Sequence, residues 1–167
     1  MAGPDSQFPV ALFAYGTLMY PEVVNKVMKR VPDMHDAVLE GYYRMHIRNR
    51  LYPAVVAHDA WPLPAELANP TAEAKATRPA MVHGRVMYIS EAELRAMDVY
   101  ESSSYRRCVA KVKLAANAGA EPIDCHVYVW GDSMSDLYGE WVPEEFLKEN
   151  YEKHCRNMGI VRPSPAE

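Results

Sequence analysis

The sequence predicts a small α+β or barrel-like domain in which about six strands are flanked by a few helices. Three observations lead there. Strand-like stretches outnumber helical ones, no internal repeat divides the chain, and 167 residues suit one hydrophobic core.

Residues 8–15, FPVALFAY, are apolar on both faces, as in a strand covered on two sides, and Gly16 ends the run. Pro21 suits the first turn of a helix and Glu22 its positive end. Val23, Val24, Val27, Met28 and Val31 then recur at helical spacing. Further strands are expected at VLEGYYRMHI (38–47), LYPAVVA (51–57), MVHGRVMYI (81–89), YRRCVAKVKL (105–114) and IDCHVYVW (123–130). Along 105–114, Cys108, Ala110, Val112 and Leu114 share one face and Arg107, Lys111 and Lys113 the other, which suits a half-buried antiparallel strand. Between these strands Ser90 and Glu93 form a capping box, with Leu94 and Met97 on one face, so a short helix runs toward Tyr100. GDSMSDLYGEW (131–141) reads as loop. Pro143, with Glu144 and Glu145, opens a last helix that turns Phe146, Leu147, Tyr151, Cys155 and Met158 inward and stops at Gly159.

The organisation expected is a single domain over 8–159, closed by a helix at 143–159, with a disordered N-terminus at 1–7 and a tail at 160–167. The segment HDAWPLPAELANPTAEAKATRP (58–79) has four prolines, many alanines and no clean periodicity. It reads as an inserted loop, either a lid or a plain excursion.

Composition excludes several functions. With 18 Lys plus Arg against 22 Asp plus Glu, the chain offers little to a phosphate backbone or an anionic membrane, so no nucleic-acid or membrane partner is expected. The basic stretch RMHIRNR (44–50) fits an exposed strand face, because Tyr42, Arg44 and His46 alternate with Tyr43, Met45 and Ile47. No apolar run approaches the roughly 18 residues of a bilayer span. Cys108, Cys125 and Cys155 form an odd set without CxxC spacing, and the first ten residues lack a basic segment and a long apolar one, which reads as a reduced, cytoplasmic protein. The six histidines show neither HxxxH nor HExxH, so no metal is expected.

Two places invite chemistry. Where a strand passes into a helix through glycine, as at Tyr15-Gly16-Thr17-Leu18, successive N–H groups can converge on a carboxylate or phosphate. The segment has no GKS or GKT and no GxGxxG, which disfavours bulky nucleotides. Its plainer reading is an αL turn at Gly16 and a helix cap at Thr17. The second place is MDVYESSSYRR (97–107), where Glu101 follows a capped helix and precedes a strand. At the negative end of a helix, among Tyr100, Tyr105 and Met97, its pKa would rise to suit general acid–base work; a salt bridge to Arg107 would lower it instead.

Together these residues resemble the gamma-glutamyl cyclotransferase-like family, in which a first strand ends in YGTL or YGSL and a later LDxYE segment carries the catalytic glutamate. The matches are Tyr15 to Leu18 and Met97-Asp98-Val99-Tyr100-Glu101. GYYR (41–44), RLYPAVV (50–56), HGRV (83–86), Tyr105 and Arg107 follow in the family's order, so the likeness spans roughly 8–130. GEWVPEEF (139–146) looks like the plant avirulence-induced branch. The chain departs from the pattern in having Ser102 where the family often has Gly, Met97 in place of leucine, and a longer 58–79 segment.

The resemblance implies a small mixed β-barrel with flanking helices, an open-ended cavity, and no metal or organic cofactor. It also implies an enzyme that removes a gamma-glutamyl group from an amine or peptide as 5-oxoproline. On that reading Glu101 is the general acid and base, and the amides from Tyr15 through Gly16, Thr17, Leu18 and Met19 to Tyr20 hold the substrate α-carboxylate. Tyr15 and Tyr105 wall the glutamyl group. A different class of function stays open: a non-catalytic module that uses the same pocket for a glutamyl-like ligand or partner.

Overall fold

The computed structural model describes residues 8–58, 80–117 and 119–160. Its strands are β1 (Val10–Ala14), β2 (His35–Glu40), β3 (Tyr42–Ile47), β4 (Pro53–Ala57), β5 (Met81–Ile89), β6 (Tyr105–Leu114), β7 (Ile123–Trp130) and β8 (Leu137–Glu140). Its helices are α1 (Pro21–Met28), α2 (Glu91–Glu101), α3 (Pro143–Glu149) and α4 (Tyr151–Asn157). Five strands close a barrel in the order β1-β5-β2-β6-β7, and β4-β3-β8 form a separate three-stranded sheet. The barrel is mixed, because β1 runs antiparallel to β5 and parallel to β7. No helix among the described residues is long and apolar enough to cross a membrane.

The two-faced apolar pattern of β1 has its cause here. Ala11, Phe13 and Tyr15 point into the barrel with Leu39, Val86 and Val127, whereas Leu12 and Ala14 point outward into a core shared with α1, α2, α3 and α4. Both faces are removed from water, so neither tolerates polar residues. At Gly84 of β5 a side chain would collide with the Ala14 carbonyl and the Phe13 ring, so glycine lets the two strands sit close.

The expected count of about six strands becomes eight among the described residues, for two reasons. The stretch 38–47 is not one strand: Gly41, at φ 86°, turns the chain between β2 in the barrel and β3 in the other sheet. Residues 137–140, expected as loop, pair with β3 as β8. The last helix is also divided, since Asn150 at φ −130°, ψ −11° separates α3 from α4. Arg44 is not on an exposed face. It is half-buried and donates to the carbonyls of Tyr15 (2.8 Å), His83 (2.9 Å) and Trp141 (3.3 Å), tying the second sheet to the barrel. Residues 1–7, 59–79 and 161–167 lie outside the described residues, and with them the expected N-terminus, nearly all of the insertion and most of the tail.

Candidate active site

Helix α2 brings Glu101 into place. Ser90 accepts from the Glu93 amide (3.2 Å) while the Glu93 carboxylate accepts from the Ser90 amide (2.9 Å), so the expected capping box fixes the start of the helix. Leu94 and Met97 anchor its inner face, and the helix ends at Glu101. Ser102 then adopts φ 64°, ψ −175°, a conformation proper to glycine, and turns the chain sharply into β6. The departure from the family's glycine thus falls where the backbone asks for one.

Glu101 faces a cavity of about 640 Å³ at the seam between the barrel and the second sheet. Tyr15, Gly16, Thr17 and Leu18 line it from the end of β1; Tyr52 and Pro53 from the start of β4; Tyr100, Tyr105 and Tyr128 around the carboxyl. The tyrosines are held by their own bonds. Tyr15 donates to the Tyr128 carbonyl (2.5 Å), Tyr105 to the Pro53 carbonyl (2.8 Å), and Tyr128 to Asp98 (2.7 Å). Burial raises all three phenols, so they stay protonated.

The electrostatic alternative left open by the sequence is decided by Arg107. Its guanidinium donates to both Asp98 oxygens (2.9 and 3.3 Å) and not to Glu101. Among the described residues no hydrogen bond or ion pair engages the Glu101 carboxyl, and burial alone pushes its pKa from 4.5 up to about 8.

Gly16 and Thr17 serve neither of the plain roles. Gly16 has a negative φ, −129°, and is needed because a Cβ there would lie 2.7 Å from the Pro53 ring. Thr17 caps no helix; its hydroxyl shares a 2.9 Å hydrogen bond with the Tyr100 hydroxyl, joining the glycine turn to α2 one residue from Glu101. The turn Thr17–Met19 commits the Met19 and Tyr20 amides to Gly16 and Thr17 carbonyls (3.0 and 3.2 Å). No backbone bond among the described residues uses the amides of Gly16, Thr17 or Leu18.

Of the expected site residues, Tyr15, Gly16, Thr17, Leu18, Glu101 and Tyr105 come together around this cavity; Met19 and Tyr20 do not. They face a different hollow beside Arg44 and Trp141, where the Tyr20 ring packs on Phe146 (5.8 Å) and Tyr151 (5.1 Å). The reason is the tight turn Thr17–Met19, which carries the chain past this cavity toward the start of α1. Sequence reading missed the part of the wall given by Arg50, Tyr52, Lys153 and His154. Tyr52 lay within the RLYPAVV match, but nothing in the spacing of Lys153 and His154 marks them.

The family model described as "Gamma-glutamyl cyclotransferase, AIG2-like" matches residues 12–145. AIG2-like protein C of Arabidopsis thaliana is 34% identical over 143 residues, covering 84% of this chain and 71% of that one. An Arabidopsis thaliana protein solved in solution superposes with a TM-score of 0.60 at 25% identity, over 92% of this chain and 90% of that one. An AIG2-like protein of Mus musculus shares the fold, with a TM-score of 0.55 at 18% identity over 96% and 100% of the two chains.

Proposed function

The chain belongs to the gamma-glutamyl cyclotransferase, AIG2-like family, and from that membership we propose that it releases 5-oxoproline and a free amine from a gamma-glutamyl amide or peptide. The observation that carries the reading is the Glu101 carboxyl. It lies half-buried and, among the described residues, without an ionic partner, in a cavity that the Tyr15–Leu18 turn also lines.

The reaction suits such a site. The substrate's α-amine attacks its own γ-carbonyl carbon; a C–N bond forms to close the five-membered lactam, and the C–N bond to the leaving amine breaks. Intramolecular attack reaches effective molarities of about 10⁵ M or more, so the protein has mainly to hold the folded conformer and move protons from the attacking nitrogen to the departing one. Glu101 takes a proton from the ammonium, freeing the amine to attack, and gives it to the departing nitrogen; the second proton that the attacking nitrogen sheds as the lactam forms leaves with the released amine, which departs as an ammonium. The substrate α-amine is an ammonium near neutral pH, and burial lifts the Glu101 carboxyl from 4.5 to about 8, much closer to an amine than an ordinary carboxyl is. Groups brought closer in this way exchange a proton in both directions with less driving force lost.

The amides of Gly16, Thr17 and Leu18 are the donors for the substrate α-carboxylate, and the tyrosine wall excludes water from the reacting centre. Met19 and Tyr20 have no part in this reading, because they face away. Incubating the purified protein with a panel of gamma-glutamyl dipeptides and amides, glutathione included, should release 5-oxoproline. The Glu101→Gln variant should lose that release by a factor of about 10² or more while still binding substrate. Binding without release by the wild-type protein would move the assignment to a ligand-binding module.

A further inference from the structure

The cavity holds more positive charge than the reaction centre uses. Its charged groups among the described residues are Glu101, Arg50 and Lys153, and beside them lies His154. Arg50 stands over the ring of Tyr52, 5.7 Å from its centroid, and His154 meets the same ring edge-on at 6.4 Å. Arg50 and His154 therefore flank one residue, Tyr52, at the part of the cavity where α4 faces the start of β4.

His154 is the telling member. It is only 5% exposed, yet its Nε2 has no hydrogen-bond partner among the described residues. A buried polar atom left unpaired is destabilising, so the site gains when a ligand pairs it. Phe146 packs on the imidazole at 5.9 Å, and burial lowers its pKa, so the ring is neutral; in its Nε2–H tautomer the unpaired nitrogen is a donor for an anion. Arg50 spends one bond on Ser104 (3.3 Å) and has further donors in its guanidinium.

Resting on the cyclotransferase reading, we propose that Arg50, Lys153 and His154 form a subsite for a carboxylate on the leaving group, so that the substrates are gamma-glutamyl amino acids or peptides and not gamma-glutamyl alkylamines. The charge count supports this. The substrate's α-carboxylate goes to the Gly16–Leu18 amides and its amine to Glu101, which leaves two cations and one unspent donor for a second anion. The volume agrees, since about 640 Å³ falls within the range of roughly 300–1,000 Å³ that holds a whole drug-sized ligand.

Two ligands separate the possibilities: gamma-glutamyl-alanine and gamma-glutamyl-ethylamide, which differ only by the carboxylate. Wild-type protein should favour the first by tenfold or more in kcat/KM, and the Glu101→Gln protein should show the same preference in calorimetric affinity. Arg50 and Lys153 are both exposed, so Arg50→Met with Lys153→Met should leave the fold intact. That double variant should erase the preference by slowing gamma-glutamyl-alanine and leaving gamma-glutamyl-ethylamide within about threefold. His154→Leu should cut the preference, and His154→Gln, which keeps a donor, should restore part of it. Equal use of the two ligands by the wild type, or an equal loss of both in the variants, overturns the subsite and leaves the reaction standing. Carboxylate-dependent affinity without any 5-oxoproline overturns the reaction and keeps the subsite, whereas binding of neither ligand overturns both.

Discussion

Replacing Glu101 by glutamine should stabilise the folded protein in alkaline solution even though it removes the group assigned to catalysis. The folded-state pKa of Glu101 is about 8 against an ordinary 4.5, so between those values the folded chain keeps a proton that the unfolded chain has released. The stability lent by the neutral carboxyl is complete below pH 4.5 and is lost as pH rises through 8. At about 1.4 kcal/mol per tenfold, that interval corresponds to at most about 5 kcal/mol. Water entering from the cavity screens part of it, and a change of about 2–4 kcal/mol is expected. Glutamine has nearly the same shape and no ionisation. Urea unfolding of wild type and Glu101→Gln should therefore give similar stabilities at pH 5, with the variant ahead by that amount at pH 9. A difference equal at both pH values would refute the claim that burial without a partner governs this carboxyl.

The acid limb of kcat/KM should lie near pH 8, because the productive complex needs the Glu101 carboxylate and the substrate ammonium together; a limb between pH 4 and 5 in a pH–rate profile would count against that. Ser102→Gly should raise the melting temperature by about 2–4 °C, roughly 1 kcal/mol, by relieving a residue held at φ 64°, ψ −175°. Calorimetry decides that point. Gly16→Ala should lower stability by about 1–3 kcal/mol in urea unfolding, since its Cβ would lie 2.7 Å from the Pro53 ring, and should depress turnover by shifting the Thr17 and Leu18 amides.

Much of the barrel was legible because β5, β6 and β7 begin and end with the runs that suggested them. Each run is long, and a turn signal bounds it. The β2–β3 boundary was hidden since Gly41 interrupts an otherwise continuous pattern, and one residue at positive φ suffices to send two adjacent strands into different sheets. The four residues of β8 are too few for alternation to be read, and they become a strand only by pairing with β3. Arg44 shows a further limit. Alternation told which side of β3 it occupies, but not that three carbonyls from distant segments wait there. Glu101 could be singled out from its place after a capped helix, whereas its ionisation depended on Arg107 choosing Asp98, a matter of three-dimensional reach. His154 carried no signal in the chain, as its unpaired nitrogen exists only once α4 packs against Tyr52 and Phe146.

The contact between Gly16 and Pro53, with the Tyr105 hydroxyl on the Pro53 carbonyl, has a bearing on how the molecule assembles. Barrel and second sheet each contribute one side of the cavity, and residues far apart in the chain must meet before the cavity exists. A refolding chain that had closed only its barrel would already display Tyr15 and Tyr105, but with nothing opposite them. The capacity to hold a ligand arises with the docking of the two sheets, a step dominated by non-local contacts and correspondingly slow. In a stopped-flow experiment, ligand capture would thus time the last joining event of folding, separately from the earlier appearance of β structure.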